Sequence, residues 1–438
     1  MSRDTAELVA FDDVWNAPPS REHRRGGGRG GVIAFLVVVL LLLLGGGGYT
    51  AWALTAPVAS PALSVTAPPA PVGERVALAL PTQGAAMVSV EGAEEFLGPD
   101  AAGVWAATGG NDVQPLASVT KLVTALVVLE AYPFDGPADN GPTLTFDAAD
   151  EDLYDKYYAM GSTIAPMPRN SSMTLRDALT AMLVPSASNY AEAVATWAFG
   201  SAGSFAARAQ DWLARNGLRD TVVVEPTGNS ARNVSTPSDL LALARIAAAQ
   251  QTVASIAAKP VAQAGVAGRV VNTNGLLGSY GVTGLKTGNL GPGTHLLVYR
   301  AMLDVGVGAP LTITGVTTGA ESRDSLTASV ASLLGSIRAG FHEVTVAEAG
   351  RSLGTVTTPW GSEADIVIGR SASILTWSDT PVEVVLDYRD PVEYADGEVI
   401  GTLIWTAGPE TATADVQISG AIEPPTALWR LTHPEALG

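Results

Sequence analysis

An uninterrupted apolar stretch near the start of the chain, residues 32–54, constrains the fold more than any other feature of the sequence. It reads VIAFLVVVLLLLLGGGGYTAWAL and contains no charged residue. As a helix, such a stretch is about long enough to cross a hydrocarbon core of roughly 30 Å. A transmembrane helix is therefore predicted, and a buried core helix is disfavoured because the glycines at 45–48 would weaken it.

The charged flanks of this stretch predict its orientation. It follows a group of arginines: Arg21, Arg24, Arg25 and Arg29. No cation follows it closely, so the excess of positive charge on cytoplasmic flanks places residues 1–31 in the cytoplasm and the remainder outside, as a single-pass membrane protein. The alternative is a cleaved signal peptide ending near Ala51 or Ala53, but the long polar leader favours an anchor.

Charge and cysteine content exclude several classes of function. The chain has 438 residues and a formal net charge of -18, so it lacks the basic surface that a nucleic acid partner requires. It contains no cysteine, which excludes disulfides, thiol nucleophiles and cysteine-ligated metals.

The chain beyond the apolar stretch predicts a linker, two domains and a tail. Residues 55–82 are rich in Pro, Ala and small polar residues, which is typical of an extended linker. Residues 83–341 combine strand-like alternation with helical periodicity, which predicts helices flanking a mainly antiparallel sheet. Residues 342–430 show short alternating segments between turn residues, which predicts a small all-β domain before a tail at 431–438. One helix is expected to bury a single apolar face: Leu326, Val330, Leu333, Leu334 and Ile337.

The first candidate motif occurs in PLASVTKLVTAL, where Ser118 and Lys121 are three residues apart at the start of an apolar helix. This spacing places the hydroxyl and the amine on one face, where they can touch. The partial positive charge at a helix N-terminus also favours a forming alkoxide. Alone the spacing is weak, because Ser is common as a helix cap.

Two further segments carry polar groups between apolar elements. GVTGLKTGNL predicts a strand that exposes a cation and a hydroxyl at Lys286 and Thr287, both suited to binding a carboxylate, and Gly288 permits close approach of another backbone. LTAMLVPSASNYAEAV places Ser186 on a loop between two apolar helices.

The order of these three motifs resembles that of the D-alanyl-D-alanine carboxypeptidase family, the low-molecular-mass serine penicillin-binding proteins of the peptidase S11 type. EPTGNSARNVSTPSDL, DPVEYADGEVIGTL and WRLTHP extend the resemblance from about Gln83 to near the end of the sequence. The resemblance implies an α+β fold, with a penicillin-binding/β-lactamase-like domain followed by a small β-sandwich.

The resemblance also implies a role for each motif. Ser118 would attack the D-Ala-D-Ala carbonyl, Lys121 would act as general base, and Ser186 would pass a proton to the leaving D-alanine. Backbone N–H groups of Ser118 and Asn289 would form the oxyanion hole. The substrate would be bound by the middle and third motifs: Ser188, Lys286, Thr287, Gly288 and Asn289.

The implied activity is a serine D-Ala-D-Ala carboxypeptidase that trims peptidoglycan pentapeptide stems through an acyl-enzyme. β-Lactam antibiotics would be covalent inhibitors, and the chemistry needs no metal or organic cofactor. The N-terminal helix would hold the protein in the cell membrane, with the catalytic domain outside the cytoplasm.

The sequence departs from the family pattern in the middle motif, where Asn is expected at the position of Ser188. A hydroxyl reaches less far than a carboxamide and offers fewer hydrogen bonds, so some contact with the substrate is expected to be missing. If the loop is shifted by one residue, Asn189 supplies the amide instead.

Two other functions remain open from the sequence. A serine β-lactamase shares the motifs, and Glu225 has the spacing to Asn229 that would suit activation of a deacylating water. A wall-binding protein of the same fold with impaired turnover is the second. A histidine triad is disfavoured, since the few histidines show no such arrangement and His295 is expected to be structural: His23, His295, His342 and His433.

Overall fold

The computed structural model of the protein describes residues 29–438. Residues 1–28, which contain His23 and most of the predicted cytoplasmic segment, lie outside the described residues. The chain divides into two compact units. The main unit comprises residues 65–354 and 365–420, and the smaller unit comprises residues 29–64, 355–364 and 421–438.

The helices, in chain order, are α1 (Arg29–Thr55), α2 (Glu94–Leu97), α3 (Thr120–Ala131), α4 (Ala148–Ala159), α5 (Leu175–Leu183), α6 (Ser188–Phe199), α7 (Ala202–Arg215), α8 (Pro237–Ala249), α9 (Gln251–Ala257), α10 (Arg323–Gly340) and α11 (Ala427–Thr432). Single turns of 3-10 helix lie at Pro99–Ala102, Ala117–Val119, Gly265–Ala267 and Pro434–Ala436.

The strands, in chain order, are β1 (Ala62–Val65), β2 (Ala85–Glu91), β3 (Ala106–Thr108), β4 (Gln114–Pro115), β5 (Thr143–Thr145), β6 (Ser172–Thr174), β7 (Val234–Ser235), β8 (Val261–Gln263), β9 (Arg269–Val271), β10 (Val282–Gly288), β11 (His295–Leu303), β12 (Leu311–Ala320), β13 (Phe341–Ala347), β14 (Ser352–Thr357), β15 (Glu363–Ile368), β16 (Ala372–Trp377), β17 (Glu383–Tyr388), β18 (Val399–Ala407) and β19 (Glu410–Ser419).

A five-stranded antiparallel sheet in the order β10-β11-β12-β2-β3 lies at the centre of the main unit. Because strand side chains alternate, β11 buries Leu296 and Val298 in one apolar cluster and Leu297 and Tyr299 in another. Helices cover both clusters. The predicted antiparallel sheet flanked by helices is therefore confirmed.

The two covering layers differ in size. On one side α10 is the main helix, and its five predicted core residues are all buried in the cluster that contains Leu297. On the other side several helices form the larger cluster, with α3 at its centre. Burial around α3 fixes the start of that helix, which carries the first candidate motif.

The β-rich part of the main unit contains the antiparallel set β15-β19-β18-β17 and a separate pair, β13 with β16. Alternate residues of these strands form a core, with Trp405 and Ile418 completely buried. Strand β16 was not predicted from the sequence. The last strand ends at Ser419 and residues 421–438 belong to the smaller unit, whereas the sequence placed the end of the β domain at residue 430.

The part of the Pro/Ala-rich linker from Val65 onward belongs to the main unit, and much of it packs against the rest of that unit. The backbone N–H of Thr66 donates to Leu353 O at 2.9 Å, and those of Val76 and Ala79 donate to serine hydroxyls. Leu78 and Leu80 pack against the cluster that α10 covers. This segment, whose composition predicts an extended linker, thus packs part of its apolar surface against the core of the main unit.

The smaller unit contains α1, which is long and apolar enough to cross a membrane. Its span Gly30–Thr55 has a mean hydropathy of 2.6 and none of its window is buried. A membrane anchor and a signal sequence both fit these properties.

Candidate active site

Ser118 lies in the 3-10 turn that leads directly into α3. The preceding residue, Ala117, has a φ of 43°, a left-handed conformation that is uncommon for a residue with a side chain. Gly228 lies against this turn, and a Cβ at Gly228 would come within 1.8 Å of Ala117 O. Close packing of two backbones therefore fixes the position of the serine.

Lys121 is fully buried one turn after Ser118. Its Nζ lies 3.1 Å from Ser118 Oγ, 3.3 Å from Ser188 Oγ and 2.6 Å from the carbonyl oxygen of Thr227. Burial lowers the pKa of Lys121 to about 7, partly opposed by the charge of Glu225. A large fraction of this amine is therefore neutral near neutral pH.

A neutral amine has two N–H groups and one lone pair, and the three contacts of Lys121 can use all of them. The carbonyl of Thr227 can only accept, so it takes one N–H, and Ser188 Oγ is placed to accept the second. The lone pair is then left for the hydroxyl proton of Ser118. This is the arrangement that a general base for a serine nucleophile requires.

The third motif lies at the end of β10, the edge strand of the central sheet. Thr287 Oγ1 is 2.6 Å from Thr273 Oγ1, and Lys286 Nζ is 3.4 Å from the same hydroxyl. Burial lowers the pKa of Lys286 well below its usual value, and the charges of Lys121 and Arg323 lower it further. A Cβ at Gly288 would lie 3.0 Å from Leu116 O, so glycine permits β10 to pack beside the serine turn.

A cleft of about 340 Å³ brings residues from all three motifs together. The predicted residues that line it are Ser118, Ser186, Ser188, Thr287, Gly288 and Asn289. Lys121 and Lys286 are buried behind this lining. Sequence reasoning missed Thr273 and Arg323 and named Asn229 only for its spacing to Glu225. All three line the cleft and come from segments far apart in the chain.

Arg323 is the most informative of the missed residues. It is the first residue of α10, and its side chain is exposed at the cleft. Because a guanidinium stays charged at all physiological pH values, it supplies a permanent cation beside the buried Lys286. The only sequence signal for it was a charged residue directly after a helix-capping serine, Ser322.

The middle motif separates into residues with different surroundings. Ser186 has a left-handed φ of 72°, and its buried Oγ has no hydrogen-bond partner among the described residues. Ser188 contacts Lys121, whereas Asn189 Nδ2 and Oδ1 bond the backbone of Ala165 at 2.8 and 3.2 Å. The amide of Asn189 thus holds the backbone of Ala165 near the cleft. Ser188, not Asn189, contacts Lys121, which favours the register with Ser188 at the third position of the middle motif.

Glu225 has no free oxygen for activating water. Its Oε2 accepts from the N–H and the hydroxyl of Thr227, and its Oε1 accepts from Gly228, Ser230 and Asn233. It organises the loop that presents Thr227 to Lys121. This arrangement removes the feature that favoured a β-lactamase in the sequence.

Residues 100–309 match the sequence model described as D-alanyl-D-alanine carboxypeptidase, peptidase S11. This part of the chain is therefore similar to that family. A curated relative, the D-alanyl-D-alanine endopeptidase of Haemophilus influenzae, is 31% identical over 135 residues, which cover 31% of this chain and 42% of the relative. The chain therefore matches less than half the length of that relative.

Two solved structures share the fold. Penicillin binding protein 5 from Haemophilus influenzae covers 82% of this chain and all of its own, at 19% identity and a TM-score of 0.50. The peptidoglycan synthesis regulatory factor (PBP3) from Streptococcus pneumoniae covers 79% of this chain and all of its own, at 19% identity and a TM-score of 0.50. The resemblance to this family and the fold class predicted from the sequence are confirmed.

The departure of Ser188 from the D-alanyl-D-alanine carboxypeptidase pattern leads to a test. Ser188→Asn is expected to raise the rate of penicillin acylation by roughly ten- to a hundredfold, because one transition-state hydrogen bond contributes on the order of 1 to 3 kcal/mol. Stopped-flow or quenched-label kinetics measure this rate.

Asn189→Ala provides the matched control. It leaves the buried N–H and C=O of Ala165 without their side-chain partner, so we expect a loss of about 1 to 3 kcal/mol in the free energy of unfolding. An acylation rate that is unchanged in Ser188→Asn but reduced in folded Asn189→Ala would contradict the proposed register.

Proposed function

We propose that this chain is a membrane-anchored serine D-Ala-D-Ala carboxypeptidase that removes the terminal D-alanine from peptidoglycan pentapeptide stems. The observation that carries the proposal is the buried amine of Lys121, which lies 3.1 Å from Ser118 Oγ. Its other two contacts, Thr227 O and Ser188 Oγ, can accept its N–H groups. The match of residues 100–309 to the D-alanyl-D-alanine carboxypeptidase family supports the substrate class.

In the proposed reaction, Lys121 takes the proton of Ser118 as Oγ attacks the carbonyl carbon of the penultimate D-alanine. The negative oxygen of the tetrahedral intermediate accepts hydrogen bonds from the backbone N–H groups of Ser118 and Asn289. The C–N bond then breaks as Ser186 gives its proton to the departing amine and takes in exchange the proton that Lys121 holds. Water next attacks the acyl ester and loses a proton to Lys121, which passes it to Ser118 Oγ as the C–O bond of the ester breaks and the shortened stem leaves.

The proposed binding mode uses the free edge of β10. An extended peptide can pair with an edge strand, which would align the scissile bond with Ser118. Its terminal carboxylate would meet the Thr287 hydroxyl and the positive charge of Arg323 and Lys286. A carboxylate near Lys286 favours the protonated amine, so substrate binding would restore the charge that burial suppresses.

The same site would be acylated by β-lactam antibiotics, whose strained amide takes the place of the D-Ala-D-Ala bond. The resulting ester on Ser118 is expected to persist, because Glu225 has no free oxygen with which to activate water. Slow release of penicilloyl product would separate this enzyme from a β-lactamase, and absence of acylation would indicate a wall-binding protein.

An endopeptidase that cuts the amide between two cross-linked stems is the second candidate. It is favoured because the Haemophilus influenzae relative is a D-alanyl-D-alanine endopeptidase, which shares 31% identity over the matched region. Both reactions use the same nucleophile and base, so they differ in the group that leaves.

Purified full-length protein incubated with two muropeptides distinguishes these activities. With a monomeric pentapeptide stem we expect release of free D-alanine and a product lighter by one alanine residue, measured by chromatography and mass spectrometry. A cross-linked dimer lacking any pentapeptide should remain intact. Splitting of the dimer without D-alanine release from the monomer would overturn the carboxypeptidase proposal in favour of the endopeptidase.

We also propose that α1 remains in the mature protein as a single-pass anchor, with the catalytic residues outside the cytoplasm. Support comes from its apolar length and from the arginines on one flank. Sequencing the mature N-terminus tests this point, since a chain that begins near Ala56 would have lost a signal peptide.

A further inference from the structure

The outer end of α1 contacts residues 421–438, a segment that follows the last strand of the protein. Tyr49 Oη donates a hydrogen bond to Leu431 O at 2.7 Å. Val58 and Leu437 form an isolated antiparallel bridge, and Gly438 N donates to Pro57 O at 3.1 Å. Two distant parts of the sequence therefore meet where the apolar helix ends.

Arg430 caps the end of α1. The last carbonyl groups of a helix have no partners within it, and the dipole of the helix favours a cation there. α1 has no basic residue in its last turn, but Arg430 Nη1 donates to Ala56 O at 2.8 Å and lies 3.4 Å from Ala53 O. The cation that α1 lacks is thus supplied by the distant segment.

Apolar and aromatic packing reinforces these polar contacts. Ala53, Ala56 and Leu437 form a small buried cluster, to which Trp429 and Leu431 add partly buried surface. Trp429 stacks on His433 with ring centroids 4.8 Å apart. It also meets the edge of Trp360, whose Nε1 donates to Glu423 O.

We propose that residues 421–438 are a clamp that docks on the outer end of a retained α1 and lies in the interfacial layer of the membrane. This inference rests on the anchor proposed above. Tyr49 and Trp52 are 38% and 45% exposed at this end of the helix, and such aromatic residues mark the membrane–water interface. The clamp would therefore lie at the level of the lipid headgroups.

One of these contacts requires that the helix is retained. Cleavage after Ala51 or Ala53 would remove Tyr49, which donates to Leu431 O, whereas the carbonyl group of Ala56 that Arg430 caps would remain. Because β19 ends at Ser419 and the clamp begins at residue 421, docking ties the chain that follows the sheet to the membrane helix. The clamp is then a second attachment besides the linker.

Disulfide trapping in the full-length protein tests the clamp, because the chain has no cysteine of its own. Val58→Cys with Leu437→Cys places two thiols at bridge partners, since the Cα atoms of antiparallel partners lie about 4.5–5.5 Å apart and a disulfide spans about 4.4–6.8 Å between Cα atoms. The protein carries an N-terminal and a C-terminal epitope tag. After mild oxidation in membranes and proteolysis between the tags, both tags should migrate together until a reductant is added.

The matched control pairs Val58→Cys with Leu428→Cys. Leu428 also lies in the clamp, but its side chain is 72% exposed and outside the buried cluster. We expect linking of this pair to be at least about tenfold slower. Adding Arg430→Gln to the Leu437 pair should slow its linking by roughly tenfold, the effect of losing a charge-assisted hydrogen bond, whereas Arg430→Lys should slow it less.

Each outcome has a distinct meaning. If the N-terminal tag is retained but the Leu437 pair links no faster than the Leu428 pair, the clamp is refuted while the anchor stands. If the tag is lost during maturation, the anchor and the clamp both fail. Neither readout involves peptide hydrolysis, so failure of the proposed carboxypeptidase activity would be detected separately.

Discussion

Ser118→Ala is expected to abolish penicilloyl labelling and to lower D-alanine release by roughly 10⁶-fold, the scale of loss when a serine hydrolase loses its nucleophile. Among the serines that line the cleft, Ser118 and Ser188 both contact the Lys121 amine, and Ser118 is the nearer of the two, at 3.1 Å against 3.3 Å. Mass mapping of the labelled wild-type protein should find one adduct, on the peptide that contains this residue.

Ser186→Ala is the informative comparison for this experiment. The Oγ of Ser186 is buried in the same cleft, but no described residue bonds it and its proposed role concerns only proton transfer to the leaving group. This variant should still be labelled at Ser118, with slower turnover. An adduct on Ser186, or labelling that survives Ser118→Ala, would refute the assignment of the nucleophile.

The contact between Ser118 and Lys121 was predictable because it is local. Three residues of separation at a helix start fix which side chains share a face, whatever the rest of the chain does. Thr227 and Thr273, which complete the site, lie more than a hundred residues after Ser118 in the sequence. Only the packing of the whole unit determines where such groups lie.

The segment TVVVEP has the composition that predicts a strand, but residues 221–226 do not form one. In the structure only Val222 pairs with another backbone, in an isolated bridge to Val234. The N–H of Val224 bonds to the side chain of Asn233, and Glu225 gathers the following N–H groups. Side-chain acceptors thus replace a neighbouring strand, and this loop delivers the Thr227 carbonyl to Lys121.

The segment WRLTHP shows a different limit of the sequence. It was placed at the end of the β domain by resemblance, yet its residues form most of α11 and the turn after it, beside the outer end of α1. Arg430 has no helical partner nearby that would signal its role. Its target is a helix end more than 370 residues earlier in the chain.

Lys121→Met is expected to lower the acylation rate by about 10²- to 10⁴-fold, the usual contribution of a positioned general base. Methionine keeps the unbranched apolar stem in its buried position but has no lone pair basic enough to accept the Ser118 proton. Lys259→Met, which alters an exposed lysine outside the cleft, is the matched control and should acylate at the wild-type rate.

The dependence of acylation on pH tests the state of the same amine. Burial lowers the pKa of Lys121 from 10.5 to about 7, and only the neutral amine accepts a proton. The wild-type rate should therefore rise as pH increases through about 7 and level off above it, and Lys121→Met should lose this step. A rate that keeps rising through pH 9 would mean that Lys121 stays protonated at neutral pH, which would contradict its role as the base.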